Sequence, residues 1–411
     1  MGSIKKNYLY NSVYQVLLII IPLFTSPYIS RVLGPGMIGI QSFCYSVATY
    51  FIMFIMLEVS NYGNRSVARV KNDRKKLTKT FWTIYYFQFL RGLLVVFVYL
   101  LYVFFFAQKY IWRALINGIY VLSAMIDISW MFFGLELFKI TVTRNVVIRL
   151  ANVLCIFAFV KQQNDLWIYS LIVVMSSFLS TGYLWFYLKN YVDWYKPTIK
   201  EIIPHIKPEL ILFIPVIAIS LYKVMDRIML GSMSTDTQLG FYTQAESVIN
   251  IPMGLITALG TVMLPRISHM LANGEDEKTK EYIENSMFVV TMMNCAMAFG
   301  LAAIAPVFTP VFFGEKFAEC SNIIIGLSIT IIFISWANIV RTQYLIPRGR
   351  DKSFLISVVT GAFVNLVLNT LLIPKLAAMG AVIGTVCAEA SVCFIQIFMV
   401  RKELPILLYV R

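Results

Sequence analysis

Long apolar runs constrain this chain more than any other feature of its sequence. A helix of about 20 apolar residues crosses a hydrocarbon core of about 30 Å, whereas barrel strands would alternate in segments of about ten residues. The sequence therefore predicts an all-α integral membrane protein with twelve transmembrane helices. They lie near residues 11–33, 38–60, 81–106, 114–138, 141–160, 167–188, 210–231, 240–264, 285–312, 321–345, 353–373 and 380–400.

Composition excludes most soluble and enzymatic classes. The chain is 59% hydrophobic and 14% charged, whereas soluble domains contain roughly 45–50% apolar and about 25% charged residues. It has no phosphate-loop motif, and its two histidines, His205 and His269, lie in short polar connections. The six cysteines form no CxxC pair. We therefore predict no ATP hydrolysis, no metal centre, no catalytic triad and no cofactor.

Basic residues predict the orientation of the chain. Of its 35 Lys and Arg residues, 25 lie in segments on the side of the N-terminus, Arg144 among them, and six lie on the opposite side. The positive-inside rule then places both termini in the cytoplasm. Since this bias accounts for nearly all of the net charge of +14, no nucleic-acid partner is needed to explain it.

An internal repeat predicts two related halves. The segment RVLG at 31–34 recurs as RIMLG at 227–231, and Gly39 and Gly240 open the runs that follow. Such a duplication predicts two six-helix bundles of parallel orientation, with a pseudo-two-fold axis along the membrane normal and a substrate site at their interface. Prolines in the first and seventh helices predict kinks there. The predicted parts are an N-terminal bundle (1–188), a cytoplasmic linker (189–209) and a C-terminal bundle (210–411).

Several motifs resemble one transporter family. Residues 22–35 (PLFTSPYISRVLGP), 130–134 (WMFFG), 344–349 (YLIPRG) and 380–389 (GAVIGTVCAE) are similar to the bacterial O-antigen and capsule repeat-unit flippases of Wzx type. These belong to the multidrug/oligosaccharidyl-lipid/polysaccharide exporter superfamily. The resemblance implies a flippase, not an enzyme, in the bacterial cytoplasmic membrane. It would move an undecaprenyl-diphosphate-linked oligosaccharide to the outer leaflet by alternating access, and its partners would be membrane lipid, a polysaccharide polymerase and other assembly proteins.

Polar residues within or beside the apolar runs are the candidate site. An ionisable side chain in a membrane helix costs at least about 2.5 kcal/mol and commonly faces a cavity or a partner. Pairing between helices is the alternative to substrate binding. The candidate substrate-binding residues are Arg31, Glu58, Asn61, Arg65, Arg91, Asp127, Arg149, Lys223, Asp226 and Arg227. Glu389 is the candidate for coupling to an ion, with a tie to another helix as the alternative, and an ion could also couple at Asp226.

Spacing gives some of these candidates a predicted role. Lys223, Asp226 and Arg227 share one helix face, so that Asp226 neutralises one of two cations and leaves one positive charge for a ligand. Arg31 occupies the corresponding place in the first half, where it could grip a diphosphate with Arg227 or anchor at head groups. Asp127 is the predicted counter-ion of Arg91 or Arg149.

Other functions remain open at this point. A multidrug or cation exporter of the same superfamily would need an anionic lumen, which the sequence neither requires nor excludes. A flippase for a peptidoglycan precursor is equally compatible with the layout. A membrane polysaccharide polymerase or acyltransferase is disfavoured, because the predicted outer loops are mostly short and contain no histidine.

Overall fold

The chain forms two compact helical units. A computed structural model describes the backbone of residues 2–404 and 406, and the side chains in that range except those at 2–19, 214–216, 218–219, 221–223, 255, 258 and 261. Throughout these residues the secondary structure is helical, with no β-strand. One unit comprises Met1–Leu33 and Ile40–Ile217, and the other comprises Gly34–Gly39 and Ala218–Arg411.

The first unit is built mainly from the first seven helices and the beginning of the eighth. Short 3-10 turns precede the fourth and seventh helices. The helices are α1 (Gly2–Met56), α2 (Val59–Val70), α3 (Arg74–Phe105), α4 (Ile111–Met125), α5 (Ser129–Gly134), α6 (Phe138–Phe159), α7 (Leu166–Leu188) and α8 (Ile199–Met233).

The second unit contains the end of α8 and six further helices. The additional helices are α9 (Asp236–Ala272), α10 (Asp276–Phe313), α11 (Cys320–Ser328), α12 (Thr330–Ile339), α13 (Asp351–Leu376) and α14 (Ala378–Val400). A π-helical segment, Val340–Leu345, follows α12.

Several helices have the length and composition of membrane spans. Nine helical stretches among the described residues meet both requirements. The longest, Ile20–Val70, has 51 residues and would extend about 75 Å at 1.5 Å per residue. That length exceeds one hydrocarbon core of about 30 Å, so a single stretch can contain more than one crossing.

The interruption in α1 lies at a glycine. Gly34 has φ 74° and ψ 171°, whereas Pro22 and Pro27 lie within the helical part of α1. A positive φ is accessible to glycine because it has no Cβ. This break coincides with the connection between the predicted runs 11–33 and 38–60, and the kinks predicted at the prolines stay a prediction.

Apolar side chains cover the outer faces of the longest helices. Leu94, Phe97 and Phe105 of α3 are exposed, and so are Val307 and Val311 of α10. Continuous exposed apolar surface is unfavourable in water and is typical of contact with another apolar phase. These faces are suited to lipid.

A buried glutamine stabilises a break in the helix predicted over 114–138. The chain leaves the helical path between α4 and α5, which frees backbone carbonyls. Gln88 of α3 is fully buried and donates from Nε2 to the carbonyls of Ala124 and Asp127, at 2.8 and 2.9 Å. Its own oxygen accepts a hydrogen bond from the Trp130 indole at 3.1 Å.

Polar contacts attach the segment between α7 and α8 to α3. Arg74 donates two hydrogen bonds to the Asp193 carboxylate, at 2.7 and 3.0 Å. Lys79 Nζ lies 2.6 Å from Glu201 Oε1, and this lysine, together with hydrogen bonds from Thr198, lowers the pKa of Glu201 to about 2. Glu201 therefore stays ionised at physiological pH and keeps its contact with α3.

Two glycines allow close backbone contacts in the second unit. A Cβ added to Gly39 would overlap the carbonyl oxygen of Asp236, and one added to Gly240 would overlap the carbonyl oxygen of Pro35. These are the glycines that occupy corresponding places in the predicted repeat. Their contacts give a physical reason for glycine at both positions.

Replacing Gly240 by alanine is expected to destabilise the protein by about 1–3 kcal/mol, because the overlapping atoms belong to the backbone and cannot rotate away. The measurement is the unfolding temperature of the purified protein in detergent. Gly300→Ala is the matched control, since no atom lies within 4 Å of a Cβ added there and alanine favours helix over glycine. An unchanged unfolding temperature for Gly240→Ala would contradict the contact.

Candidate functional site

An arginine stabilises a second helix break in the first unit. After α1 ends at Met56, Leu57 and Glu58 adopt positive φ angles of 36° and 63° before α2 begins. Arg91 of α3 donates from Nε to the carbonyl of Ile55, at 2.7 Å. This carbonyl has no partner in the next helical turn because the helix stops. Arg91 therefore has a structural role at the break.

Glu209 of α8 is the counter-ion of Arg91. The Nη1–Oε2 distance is 2.9 Å, and the two side chains are only 9% and 0% exposed. The second carboxylate oxygen of Glu209 is buried and has no hydrogen-bond partner within the described residues. The prediction that Asp127 pairs with Arg91 is wrong. Asp127 instead accepts hydrogen bonds from the backbone N–H, at 2.8 Å, and the hydroxyl of Ser129, and so caps α5.

The candidates on α2 share one helix face. Asn61 donates a hydrogen bond to the Glu58 carboxylate, and Asn61 and Arg65 are both exposed. On the same helix, the Tyr62 hydroxyl lies 2.7 Å from Nδ1 of His205 at the start of α8. Burial lowers the pKa of His205 below its usual value, which favours a neutral imidazole. Glu58, Asn61 and Arg65 thus form a polar, accessible surface that is suited to a polar head group.

A polar cavity lies within the first unit. It has a volume of about 240 Å³ and is bounded by Ile52 and Met56 of α1 and by residues of α4 to α7. Most of its side chains carry hydroxyl groups, and one carboxylate and one guanidinium accompany them. The polar lining residues are Tyr120, Ser123, Asp127, Ser129, Arg144, Ser177, Ser180 and Thr181.

Arg144 is the charged lining residue that sequence reasoning missed. It is 7% exposed, although charge counting placed it at the cytoplasmic surface. Its Nη1 donates to the carbonyl of Ser180 at 2.8 Å, while Nε and Nη2 donate to Oδ1 of Asn145 at 3.1 and 2.9 Å. The signal was present on α7, where Ser177, Ser180 and Thr181 follow the i, i+3, i+4 spacing of one helix face.

A buried carboxylate lies at the centre of a polar cluster in the second unit. Asp226 of α8 is 4% exposed. Its Oδ2 accepts hydrogen bonds from the hydroxyls of Tyr242, at 2.9 Å, and Thr385, at 2.7 Å. Its Oδ1 accepts one from Nδ2 of Asn369, at 2.6 Å. Four helices therefore contribute to this cluster: α8, α9, α13 and α14.

Two further residues complete the Asp226 cluster. Asn365 lies one turn before Asn369 on α13 and accepts a hydrogen bond from its amide at 3.1 Å. A Cβ added to Gly384 of α14 would overlap Oδ1 of Asn369, so glycine makes room for this amide. The same Oδ1 atom is buried without a partner among the described residues. The cluster thus holds a carboxylate beside an unused acceptor oxygen, which is a suitable environment for a proton or a small cation.

Arg227 pairs with a glutamate of the next helix. Its Nε lies 2.8 Å from Oε2 of Glu246 on α9, and the two side chains are about one quarter exposed. The hydrogen bonds described for Asp226 come instead from neutral donors on other helices, and which of its two cationic neighbours it neutralises stays a prediction. Lys223, the third predicted member of this face, has its side chain outside the described residues.

The remaining candidates differ in burial. Arg31 of α1 and Arg149 of α6 are exposed. Glu389 of α14 is 5% exposed. The structure thus brings together the α2 candidates, places Asp127 in the polar cavity, and places Asp226 in a separate cluster.

Sequence comparison relates the chain to polysaccharide export. Residues 4–271 match the family described as "Polysaccharide biosynthesis protein". The chain is 25% identical over 409 residues to a protein of Escherichia coli (strain K12) named "Putative O-antigen transporter", and the match covers 98% of this chain and 97% of that protein. The resemblance drawn from the motifs is confirmed.

Solved transporter structures share the fold. "Lipid II flippase MurJ, inward closed conformation" matches with a TM-score of 0.79 at 15% identity, over 98% of this chain and 89% of that one. An inward-facing multidrug resistance MATE family transporter of the MOP superfamily matches with a TM-score of 0.72 at 13% identity, over 97% and 98%. The all-helical transporter fold is therefore confirmed.

Proposed function

Since the chain belongs to the polysaccharide biosynthesis protein family, we propose that it is a flippase for an undecaprenyl-diphosphate-linked oligosaccharide repeat unit. It would deliver this unit across the bacterial cytoplasmic membrane, by alternating access, to the assembly of a surface polysaccharide. The observation that carries the proposal is the match over nearly the whole length of both chains to the Escherichia coli protein named "Putative O-antigen transporter". Family and relatives are transporters rather than enzymes.

The proposed architecture has twelve transmembrane helices in two six-helix bundles. The bundles are residues 1–188 and 210–411, with 189–209 as the cytoplasmic linker and both termini in the cytoplasm. The bias of basic residues supports this orientation. A polysaccharide polymerase and other assembly proteins would take over the product after transport.

Exposed cations are proposed to contact the diphosphate. Arg31 and Arg65 are accessible, and guanidinium groups bind phosphate oxygens through paired, charge-assisted hydrogen bonds. Glu58 and Asn61 lie beside Arg65 and would meet the first sugar on the cytoplasmic side. Arg149, Lys223 and Arg227 remain proposed substrate contacts, while Arg91 supports the helix break.

Coupling to a proton or a small monovalent cation is proposed at Asp226. The support is geometric: a buried carboxylate, two hydroxyl oxygens and the unpartnered Asn369 oxygen lie together. Glu389 is the alternative coupling site. It is similarly buried, at 5% exposed against 4% for Asp226.

In the polar cavity of the first unit, positive and negative charges are balanced, which is not the lining expected around a bound organic cation. An exporter of organic cations requires an excess of negative charge where its substrate binds. The cavity lining instead contains one carboxylate, Asp127, and one guanidinium, Arg144, and these offset one another. A neutral, hydrogen-bonding substrate suits such a lining better than a cation does.

Reconstitution tests this function directly. Vesicles containing the protein and fluorescent lipid-linked repeat unit are expected to equilibrate the label between leaflets at least about ten-fold faster than protein-free vesicles, a barrier difference of about 1.4 kcal/mol. The measurement is the fraction of label that a membrane-impermeant reductant quenches over time. Label that stays in its starting leaflet would contradict the proposal. Faster movement of a peptidoglycan precursor or of an organic cation in parallel vesicles would favour the corresponding rival.

A further inference from the structure

We propose that the polar cavity of the first unit is a subsite for one sugar ring of the lipid-linked glycan. This inference rests on the proposed function and names the part of the substrate that the cavity receives. It adds Arg144, Ser177, Ser180 and Thr181 to the substrate-binding residues, none of which belongs to the predicted site.

The size of the cavity suits a single ring. Its volume is about 240 Å³, and a water molecule occupies about 30 Å³ of liquid. Sites for drug-sized ligands with several rings measure roughly 300–1,000 Å³. The cavity is therefore large enough for one hydroxyl-rich ring and its immediate substituents, but small for an extended oligosaccharide.

The lining is rich in hydrogen-bond acceptors. Ser123 donates its hydroxyl proton to the carbonyl of Tyr120, at 2.6 Å, and Thr181 donates its proton to carbonyls of its own helix, at 3.0 and 3.2 Å. A hydroxyl group has one donor and two acceptor lone pairs. With their protons engaged, these oxygens can only accept hydrogen bonds from a ligand. A ligand with many O–H donors fits this wall, and sugar rings carry such donors at successive carbons.

Arg144 complements the acceptors with fixed donors. Its guanidinium is held against the Ser180 carbonyl and the Asn145 amide, so the ordering of its long side chain is complete before a ligand arrives. Arg144 lies six residues after the start of α6, about 9 Å along the helix axis. In the proposed topology this depth is in the cytoplasmic half of the unit, where a lipid-linked sugar enters.

An aromatic ring provides an apolar wall. The Tyr120 ring stacks on Tyr45, with the centroids 4.6 Å apart and an interplanar angle of 11°. The stacking holds the Tyr120 ring in one orientation. A sugar ring presents C–H groups on its faces and hydroxyls at its edge, so aromatic carbon of Tyr120 beside acceptor oxygens provides a lining for both parts.

Binding of two defined lipids tests the subsite. The probes are undecaprenyl diphosphate and undecaprenyl diphosphate carrying one N-acetylglucosamine, each titrated into the full-length protein in nanodiscs. Wild-type protein is expected to bind the sugar-bearing lipid more tightly. Thr181→Val, which keeps the side-chain shape, is expected to raise the Kd for this lipid about three- to ten-fold through one lost hydrogen bond, and Arg144→Gln is expected to raise it about ten-fold or more. The Kd for the bare diphosphate lipid should stay unchanged in both variants.

A control variant and two opposing outcomes distinguish a failure of the sugar subsite from a failure of the proposed flippase function. Thr370→Val removes an exposed hydroxyl that makes the same kind of hydrogen bond to its own helix, and should leave both Kd values unchanged. Equal wild-type affinity for the two lipids, or an equal loss for both lipids in Thr181→Val, would overturn the sugar subsite and leave the flippase intact. If wild-type protein bound neither lipid, the proposed function would fall, and the subsite with it.

Discussion

Asp226→Asn is expected to slow transport of the lipid-linked repeat unit by at least about ten-fold, equivalent to about 1.4 kcal/mol of barrier, and to remove its response to an ion gradient. Asparagine keeps the shape of the side chain but can no longer take up a proton or neutralise a cation. The hydroxyls of Tyr242 and Thr385 can still donate to the new amide oxygen. Rotation of the Asn369 amide would bring its unpartnered oxygen to the new amide nitrogen.

The unfolding temperature of Asp226→Asn distinguishes the proposed coupling role of Asp226 from a structural role. Burying an ionised carboxylate is costly even with good partners, so Asp226→Asn is expected to unfold at the wild-type temperature or above it. A variant that gains stability while losing activity indicates a residue kept for function. Unfolding well below the wild-type temperature would indicate instead that Asp226 mainly holds α8, α9, α13 and α14 together.

Glu389→Gln is the matched control, because it makes the same chemical change at another buried carboxylate of the second unit. Transport rates of both variants would be measured in vesicles with an imposed proton gradient and, separately, with a sodium gradient. Glu389→Gln should keep the wild-type response to the gradient. The assignment fails if Glu389→Gln loses that response while Asp226→Asn keeps it.

Arg91→Met is expected to produce the largest loss of stability among single substitutions in the first unit, about 3–5 kcal/mol, because it leaves the buried Glu209 without its counter-ion. Glu209→Met should cost a similar amount, since it leaves a buried guanidinium. The double variant should recover most of the loss, because a buried ion pair contributes little net stability over apolar residues of similar volume. About 1 kcal/mol should remain lost, since the hydrogen bond to the Ile55 carbonyl is gone.

An exposed ion pair of the first unit provides a control for the two single variants and the double variant. The side chains of Arg74 and Asp193 are 55% and 66% exposed, and removing such a pair costs under about 1 kcal/mol. Unfolding temperatures of all variants would be measured in the same detergent. Equal effects of Arg91→Met and Arg74→Met, or a double variant as unstable as the singles, would contradict the interpretation.

The fold class can be predicted from the sequence, whereas the breaks inside the predicted helices cannot. Apolar runs of this length require helices in lipid whatever their detailed contacts, so the all-α class followed from composition and length, while the internal repeat and the motifs predicted a transporter. The break at Gly34 falls between two predicted runs, but the breaks inside predicted helices did not follow. Gln88 and Arg91 of α3 support two such breaks from another helix. Such features depend on which buried donor reaches which free carbonyl, and a hydropathy pattern contains no such information.

The same limit applies to the candidate site. The energetic cost of an intramembrane carboxylate drew attention to Asp226, but its partners on α13 and α14 are 143 and 159 residues away. Glu209 was placed in the linker because the apolar run begins after it, whereas α8 begins ten residues earlier, at Ile199. Arg144 was counted as a surface charge for a similar reason. Residues at the ends of apolar runs are therefore the ones that a sequence pattern assigns least well.

The need for glycine beside Asn369 has a consequence for recognising the proposed coupling site in related sequences. Because a Cβ at Gly384 would overlap the Asn369 amide, the cluster depends on Gly384, a residue without a side-chain functional group. A useful signature for this site is thus an aspartate in α8, two asparagines four residues apart in α13, and the dipeptide Gly384-Thr385 in α14. Homologues that keep the aspartate but replace the glycine would belong to a separate mechanistic class, even where their overall similarity to this chain is higher.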